Sequence, residues 1–347
     1  MSEASVPRFA RRAVSRRGFL AGAGTVGLGV LATACGAGGQ SPATASSSGS
    51  GPWSFTDDRG TKVATKRRPN RVVAYVGSAA ALFDFGVDRS LVGVFGPTKL
   101  NNGNADPLAG ELDINKLTIV GNTYGEFNVE KYATLRPDLL VTNMMQPNVL
   151  WYVPSSSEQQ ILQLAPSIAF KSANVSLTST IQRYSELAAA LGADQNAKSV
   201  TDAKARFDKA SAALRAAIAA NPGIKVLAGS AAADQFYVST PGAYPDLTYF
   251  QSLGVELVQP NNVVGGFFEG LSWENVDKYP ADLIYLDSRS SALQPKDLTS
   301  KPSWMALPAV KAGQVTPWLS EPRFSYAGCA PHIEALASAI QHAKKVS

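Results

Sequence analysis

Two helical stretches between two halves of similar pattern constrain this fold more than any other feature of the chain. In the first stretch apolar residues recur every three or four positions from Leu177 to Leu191, as one stripe of a helix requires. Gly192 ends that stripe, and a second one runs from Val200 to Ala217. Ordinary surface helices would show the same periodicity. Because similar strand and helix patterns flank the pair on both sides, we predict a connector over residues 176–222.

The flanking halves alternate short apolar strands with helical segments, and Asp57 to Gly60 forms the turn of a preceding hairpin. In the first half we predict strands at 71–75, 91–95, 118–120, 138–142 and 167–170, with helices at 78–85, 129–135 and 161–164. In the second half we predict strands at 225–228, 236–238, 255–258, 283–286 and 314–316, with helices at 247–253 and 330–345. Strands that alternate with helices are typical of mostly parallel sheets covered on both faces, so the predicted class is α/β.

One helix–strand unit occurs in both halves. Residues 128–141 have a polar start, Glu130 in the first helical turn, and Pro and Asp just before a strand. Residues 272–285 repeat this order, with Glu274 at the equivalent position. A matched pair in two α/β halves indicates that the halves share one plan.

The first 34 residues have the features of an export signal and are left out of the fold. Residues 15–20 (Ser-Arg-Arg-Gly-Phe-Leu) resemble the twin-arginine motif, and the apolar run that follows is too short to span a membrane. Residues 31–35 resemble a lipobox, in which Cys35 becomes lipidated, although Ala32 stands where leucine is usual. The pattern G-x-G-x-x-G at residues 22–27 lies inside this signal, without the βαβ unit that dinucleotide binding requires.

Residues 36–52 are rich in Gly, Ser and Ala and show no apolar periodicity. A flexible tether of that length reaches roughly 20–25 Å. Together with a lipid on Cys35, it would keep a globular domain close to a membrane surface, so we predict residues 35–53 to be the lipidated cysteine and its linker.

The net charge of the chain excludes one class of partner. It is +5, from 32 basic and 27 acidic residues, but residues 1–34 hold five arginines and one glutamate. The remaining chain therefore has 27 basic and 26 acidic residues, a net charge of +1. No nucleic-acid partner follows from that balance. With Cys35 assigned to a lipid, Cys329 has no partner, so no disulfide is expected.

These segments together resemble one family: the substrate-binding proteins of ABC importers for siderophores, haem and cobalamin. The resemblance covers nearly all of residues 54–347. It is carried by the strand opening Arg-Val-Val at 71–73, the unit ending Pro-Asp-Leu-Leu-Val at 137–141, the connector, and the repeat from Trp273 to Leu286. It implies two Rossmann-like lobes, at 54–175 and 223–347, joined by a rigid helix with the ligand cleft between them. Of the two connector helices, we favour the first as the one that joins the lobes.

The resemblance implies an extracytoplasmic lipoprotein, exported by the twin-arginine route and anchored in the cell membrane. It would be a monomer without enzymatic activity that captures a ferric, hydroxamate-like siderophore and delivers it to the permease subunits of an ABC transporter. Haem or cobalamin is the alternative ligand. In this family a glutamate of each lobe pairs with permease arginines, and Glu130 and Glu274 occupy those positions.

Ligands of open α/β sheets bind beyond the carboxyl ends of strands, and pockets favour domain interfaces. The segments after the predicted strands contain aromatic side chains, which provide apolar area with a polar tip, and arginines, which provide a donor fork for anionic oxygens. Any single aromatic residue here could instead belong to a lobe core. The candidate ligand-binding residues are Tyr75, Lys99, Tyr124, Trp151, Tyr237, Phe268, Arg289, Trp318, Arg323 and Tyr326. The last three form our first-choice cluster.

We expect no metal bound directly by the protein and no cofactor. The two histidines, His332 and His342, are ten residues apart and lie near no cluster of Cys or carboxylates with ligand spacing. Any iron would therefore be held by its chelator, although a tyrosine could serve as an axial ligand of haem.

Two other classes of protein compete with a solute receptor. An exported hydrolase is the first, but the mature chain contains no G-x-S-x-G, H-E-x-x-H or Walker A motif. Asp234, Glu269 and Asp287 could supply an acid/base pair, although lone carboxylates are usually surface charges. The second is an adhesive lipoprotein without a small ligand, which a cleft filled by side chains would support.

Overall fold

The computed structural model describes residues 51–347. The predicted export signal at 1–34 and the lipidation site Cys35 lie outside these residues, as does nearly all of the predicted linker. Strand β1 (Trp53–Thr56) pairs antiparallel with β2 (Lys62–Thr65), as the hairpin signal predicts. The indole Nε1 of Trp53 donates a hydrogen bond to the carbonyl oxygen of Ala190 at 2.8 Å. This bond attaches the hairpin to the connector region.

The N-terminal lobe has a five-stranded, wholly parallel sheet in the order β5-β4-β3-β6-β7. Its strands are β3 (Val72–Tyr75), β4 (Leu91–Phe95), β5 (Thr118–Gly121), β6 (Leu139–Met144) and β7 (Ser167–Lys171). Its helices are α1 (Val76–Asp84), α2 (Val129–Thr134) and α3 (Glu158–Leu164), with 3₁₀ turns at Pro107–Ala109 and Ile114–Lys116. Each predicted strand and helix of this half is present.

Two helices follow, α4 (Leu177–Ala190) and α5 (Lys198–Ala220). Helix α4 belongs to the N-terminal lobe, because its Arg183 bonds Asp58 at 2.8 Å and its last turn holds the hairpin. Helix α5, about 34 Å long, runs from one lobe to the other. Just before it, the amide of Gln195 bonds the carbonyl of Phe85, and just after it, Asn221 bonds carbonyls at the end of the C-terminal helix. These contacts favour α5 as the spanning helix, whereas the sequence led us to favour the first.

The C-terminal lobe has a six-stranded mixed sheet in the order β11-β9-β8-β12-β13, with β10 also paired to β8. Its strands are β8 (Lys225–Ala231), β9 (Gln235–Ser239), β10 (Glu256–Leu257), β11 (Phe268–Ser272), β12 (Leu283–Asp287) and β13 (Val315–Trp318). Its helices are α6 (Pro245–Ser252), α7 (Pro302–Ala306), α8 (Pro308–Lys311) and α9 (Tyr326–His342), with 3₁₀ turns at Pro241–Ala243, Trp273–Asn275 and Asp297–Ser300.

This second sheet departs from the predicted plan at one edge. Strands β8 and β9 are antiparallel, and so are β9 and β11. Only residues 232–234 separate β8 from β9, and a parallel crossover needs a dozen residues or more. Strand β11 escaped the prediction because Gly270 interrupts its apolar residues. The α/β class and the two-sheet plan predicted from the sequence are confirmed.

A single layer of buried side chains connects the two lobes. It starts on the first sheet at Val72, continues through Ile181 of α4 and Leu214 of α5, and reaches Tyr285 and Ile333 of the second lobe. Each sheet also has a separate apolar cluster on its opposite face. The lobes therefore share one continuous buried base. In residues 51–347, no helix combines the length and apolar character needed to cross a bilayer.

Candidate functional site

A cavity of about 260 Å³ lies between the lobes. The two lobes contribute equally to its lining: Tyr124, Met145, Gln146, Val149 and Trp151 from the first, and Tyr244, Phe267, Phe268, Arg289 and Glu321 from the second. Tyr124, which is 68% exposed, separates it from a more open recess of about 510 Å³. That recess contains Lys99 of the first lobe and Ser290 of the second. The two spaces together form the cleft.

The wall of the N-terminal lobe is a cluster of aromatic rings at the carboxyl end of β6 and β3. Its ring centroids lie 5.6 Å apart for Tyr124 and Trp151, 5.5 Å for Trp151 and Tyr152, and 5.2 Å for Tyr152 and Tyr75. The end of β6 fixes the loop that carries Trp151 and Tyr152, because Thr142 Oγ1 donates to the carbonyl of Trp151 and the carbonyl of Asn143 accepts from the backbone N–H of Trp151. Aromatic faces held in this way are a ready-made apolar surface for a ligand.

The wall of the C-terminal lobe is also aromatic. Phe268 begins β11 and packs against Tyr237 of β9, with ring centroids 4.8 Å apart. Tyr244 precedes α6 and packs against Phe267 and the buried Trp318. The loop between β10 and β11 is fixed by the buried carboxylate of Glu269, which accepts hydrogen bonds from Lys278, Tyr279 and the backbone of Asn262. Phe267 and Phe268 are therefore presented by an anchored loop.

Glu321 is the polar centre of the cavity and connects the two lobes. Its Oε2 accepts hydrogen bonds from the hydroxyl of Tyr75 and from the indole Nε1 of Trp151, both at 2.9 Å. Its Oε1 accepts from Nη1 of Arg289, from its own lobe. Burial together with the Glu321 carboxylate raises the pKa of Tyr75 well above its ordinary value. Tyr75 therefore stays protonated and acts as a donor to Glu321.

Arg289 also binds a second carboxylate, that of Asp287 at the end of β12. Its Nε and Nη2 contact the fully buried Asp287 Oδ2 at 2.9 and 2.7 Å. Ser230 and Ser320 donate to the same carboxylate. Burial disfavours the charged guanidinium, but Glu321 and Asp287 outweigh it and raise the pKa of Arg289. The guanidinium is therefore a permanent charge that is largely satisfied within the protein.

Three further contacts cross between the lobes, at two places. In the recess, Ser290 Oγ donates to Oδ2 of the buried Asp106 at 2.7 Å. Below the cleft, Ser325 and Arg323 bond the carboxylate of Asp84 at the end of α1. Burial raises the pKa of Asp84 although Arg323 and Ser325 act in the opposite direction. Together with the shared core, these contacts hold the two walls at a defined separation.

Five of the ten predicted ligand-binding residues lie in the cleft. Trp151, Phe268 and Arg289 line the cavity, Lys99 lies in the recess, and Tyr124 borders both. Two others lie directly behind its walls: Tyr75 supports Glu321, and Tyr237 supports Phe268. The predicted set therefore includes four of the ten residues that line the cavity, two from each wall.

The structure corrects our first choice of site residues, because it does not place the cluster at 318–326 in the cavity. Trp318 is buried beneath Tyr244 and donates from Nε1 to Asp246 Oδ2 at 2.6 Å. Arg323 lies against Gly110 and binds Asp84, and Tyr326 packs between helices at the shared base. The chain turns away from the cleft immediately after Glu321, which is why nearness in sequence to β13 was misleading.

Glu321 and Tyr244 are the main residues that the sequence prediction missed. Glu321 follows β13 by three residues, so the carboxyl-end rule covers it, but a carboxylate does not suit the anionic ligand oxygens for which arginines were chosen. Tyr244 stands before Pro245, a signal of a helix start rather than of a site. Gln146, Val149 and Tyr152 follow β6 and offered no separate signal.

Glu130 and Glu274 both lie on the surface at the start of a helical turn. Glu130 is in the first turn of α2, where the Asn128 side chain caps the backbone N–H of Lys131 at 2.7 Å. Glu274 is in the 3₁₀ turn Trp273–Asn275, and hydrogen bonds from its own backbone N–H and from Ser272 lower its pKa. Neither carboxylate forms an ion pair with another residue of 51–347.

Within residues 51–347, no group of three or more His, Cys, Asp or Glu side chains is arranged to hold a metal ion. Cys329 is a free thiol whose pKa is raised by burial. Burial, with a smaller effect of Arg323, lowers the pKa of His332 to about 4.

Two α/β lobes on a common helical base, with an aromatic cavity between them, define a two-lobed solute-binding protein. The chain belongs to the periplasmic binding protein family, whose model matches residues 72–322. This confirms the resemblance seen in the sequence.

The chain is similar along its folded length to a solved receptor. It is 52% identical to DesE, a ferric-siderophore receptor protein from Streptomyces coelicolor, with a TM-score of 0.82 over 85% of this chain and 100% of that one. The petrobactin-binding protein YclQ from Bacillus subtilis shares the fold, at 17% identity and a TM-score of 0.63 over 84% of this chain and 99% of that one.

A more distant relative is known from sequence. The chain is 27% identical over 199 residues to the Fe(3+)-citrate-binding protein YfmC of Bacillus subtilis (strain 168). That match covers 57% of this chain and 58% of YfmC, so it spans less than two thirds of the relative.

Proposed function

We propose that this protein captures a ferric siderophore outside the cytoplasm and delivers it to an ABC importer. The observation that carries the proposal is the cavity between the lobes, which is walled by aromatic rings from both sides and centred on Glu321 and Arg289. A chelate with apolar arms and a polar rim matches such a lining. The similarity to a ferric-siderophore receptor over the whole fold supports this choice of ligand.

The proposal assigns binding without chemical turnover. The ionisable groups best placed to act on a ligand, Arg289 and Glu321, are bound to each other, and Arg289 also binds Asp287. Glu269 and Asp287, two carboxylates that could serve an acid/base mechanism, are each held by basic or hydroxyl partners. Groups satisfied in this way are poorly placed to transfer protons during a reaction.

We extend the proposal to the location of the protein. The twin-arginine motif at 15–20 and the lipobox at 31–35 would export the chain and attach a lipid to Cys35. The Gly/Ser-rich segment would then tether the lobes close to the membrane that holds the permease.

Glu130 and Glu274 are the proposed contacts with the permease. Each lobe presents one of them at the start of a helical turn, exposed and outside any ion pair within residues 51–347. Free surface carboxylates in equivalent positions of two similar lobes suit a partner with two basic patches.

Titration of the purified protein with ferric siderophores tests the proposed capture. Trp151 lines the cavity, so binding of a ferric complex is expected to quench tryptophan fluorescence with a dissociation constant of about 1 µM or below. Trp151→Phe should remove most of the quenching. Trp273→Phe, at a tryptophan in the core of the C-terminal lobe, should leave it intact.

Two results would contradict the proposed function. A response to haem or cobalamin, with none to ferric citrate, tris-hydroxamates or tris-catecholates, would replace the siderophore with those ligands. Turnover of a substrate in a hydrolase screen would contradict the assignment of binding alone.

A further inference from the structure

Arg289 is the cation of the cavity to which an anionic ligand would bind. Carboxylates of the protein already bind its guanidinium. Its three nitrogens all donate to carboxylates: Nε and Nη2 to Asp287, and Nη1 to Glu321. Its side chain is 35% exposed, while that of Asp287 is fully buried. The guanidinium therefore contributes little uncompensated positive charge to the space that a ligand would enter.

The charge of the cleft is negative when the buried carboxylates behind its lining are included. Arg289 and Glu321 line the cavity and Lys99 lines the recess. Asp287 lies behind Arg289, and Asp106 lies behind Ser290, and both are buried. Three carboxylates thus accompany two cations, which leaves a net charge of −1. Low-dielectric walls strengthen the field of such a charge at the position of a bound ligand.

Hydrogen bonds hold the Glu321 side chain in the cavity, so a ligand that enters does not displace it. Donors from both lobes, Tyr75 and Trp151 on one side and Arg289 on the other, hold both of its oxygens. Its side chain is 13% exposed. An anion that displaced it would leave three donors to be satisfied again and a carboxylate to be relocated, which is costly for partly buried groups.

We propose that the cleft selects ferric complexes that are neutral or positively charged and discriminates against anionic ones. This inference rests on the proposed function and narrows its ligand class. A cationic arm of a chelator would meet the Glu321 carboxylate and the faces of Tyr124, Trp151 and Tyr244, which favour cations. A negatively charged complex would meet the same carboxylate without a free arginine to offset it.

A charge series on one chelator tests this selection. The probes are ferric complexes of a linear tris-hydroxamate whose terminal amine is free, acetylated or succinylated, so that net charge is +1, 0 or −1 on one scaffold. We expect the dissociation constant to rise about tenfold per step toward negative charge. That is the order expected for unit charges about 12 Å apart at an effective dielectric constant near 20. Quenching of Trp151 fluorescence is the readout.

A variant separates charge from shape. Glu321→Gln keeps a hydrogen-bond acceptor for Tyr75 and Trp151 but removes one negative charge, so the three complexes should then bind within about threefold of each other. Glu256→Gln, at an exposed position of β10, is the matched control and should keep the preference. A thermal melt of each variant shows whether it is folded. In the wild-type protein, higher salt should also reduce the preference.

The outcomes distinguish this inference from the function on which it rests. Equal or tighter binding of the succinylated complex, or an unchanged preference in a folded Glu321→Gln variant, would overturn charge selection while leaving siderophore capture in place. Binding of ferric citrate or an anionic ferric tris-catecholate, with none of the three hydroxamates bound, would do the same. Failure of every ferric complex to bind would overturn both.

Discussion

Asp246 is a buried carboxylic acid, in an environment that disfavours its charged form. Its carboxylate is buried beneath the cavity wall, where Oδ2 accepts from the indole of Trp318 at 2.6 Å. Its Oδ1, like the nearby hydroxyl of Tyr285, has no hydrogen-bond partner within residues 51–347. Burial raises the pKa of Asp246 to about 7 although the hydrogen bond from Trp318 acts to lower it. The folded protein therefore holds a proton that the unfolded chain releases near pH 4.

This burial predicts how stability depends on pH. Because the folded pKa is raised, the contribution of protonated Asp246 is fully present below pH 4 and is lost as pH rises toward 7. Asp246→Asn removes that loss. The free energy of unfolding of the variant, relative to wild type, should therefore increase by about 2–3 kcal/mol between pH 5 and pH 8. Urea denaturation at the two pH values measures it.

The comparison with wild type is needed because another group acts in the opposite direction. The lowered pKa of His332, about 4, makes stability rise with pH up to the ordinary value near 6.5. That contribution is present in both proteins and cancels in their difference. An equal difference between variant and wild type at pH 5 and pH 8 would show that Asp246 does not titrate in this range.

Single residues also show what sequence reasoning could and could not recover at the site. Arg289 was placed in the cleft because it follows β12, and the structure puts it there. Its partner Asp287 is two residues away, but its pairing with Glu321 joins segments 32 residues apart, which no local pattern encodes. Trp318 shows the converse: its place in the chain suggested the cleft, but its side chain points into the helical layer.

At the scale of elements, the two repeated units begin differently. In the first, Asn128 caps α2 because its side-chain oxygen accepts a hydrogen bond from the backbone N–H of Lys131. In the second, Ser272 occupies the equivalent place but caps no backbone N–H, and the following turn is a short 3₁₀ helix. The sequence predicted the shared polar start and glutamate, but the difference in capping depends on the geometry of the turn.

The two caps supply a matched pair of substitutions. Asn128→Ala should lower the free energy of unfolding by about 1 kcal/mol, because an orphan N–H of α2 loses its acceptor. Ser272→Ala should cost less than half as much, since the cap bond is absent there. Denaturant unfolding of both variants measures the two losses. No loss in the Asn128→Ala variant would mean that the Asn128 cap does not stabilise α2.

Strand β11 is an element that was not predicted from the sequence, and the loop before it was not predicted either. Strand β11 and the loop before it owe their position to Glu269, whose partners come from two other segments, at 261–262 and 278–279. Apolar periodicity found the buried strands β3, β6, β8 and β12 because these are nearly continuous runs of apolar residues. An element fixed by a buried carboxylate has no comparable period.

At the scale of the molecule, the continuous core predicts how the protein unfolds. The buried layer from Val72 through Leu214 to Ile333 leaves neither lobe with a core of its own on the helical side. Both lobes should therefore unfold in a single transition, seen at the same temperature by tryptophan fluorescence and by calorimetry. Two separate transitions would show that the lobes are independent domains joined only by a linker.

The proposed docking role of the two surface glutamates can be separated from ligand binding. The double variant Glu130→Gln/Glu274→Gln should bind a ferric siderophore with unchanged affinity, because neither residue lines the cavity. Uptake of labelled iron by cells that depend on this receptor should fall by about tenfold or more, since two charge pairs with the permease would be lost. Glu256→Gln serves as the control. Normal uptake by the double variant would place the docking contacts elsewhere.

The shared base also limits how a transporter can distinguish the ligand-bound receptor from the empty one. Because the lobes are built on one continuous core, we expect them to move little relative to each other, so that the empty and filled states differ little in outline. We expect the main difference between them at the mouth of the cleft, where Tyr124 is 68% exposed. A transporter that must not hydrolyse ATP for empty receptors would have to contact the mouth of the cleft and, with it, the exposed surface of the bound ligand.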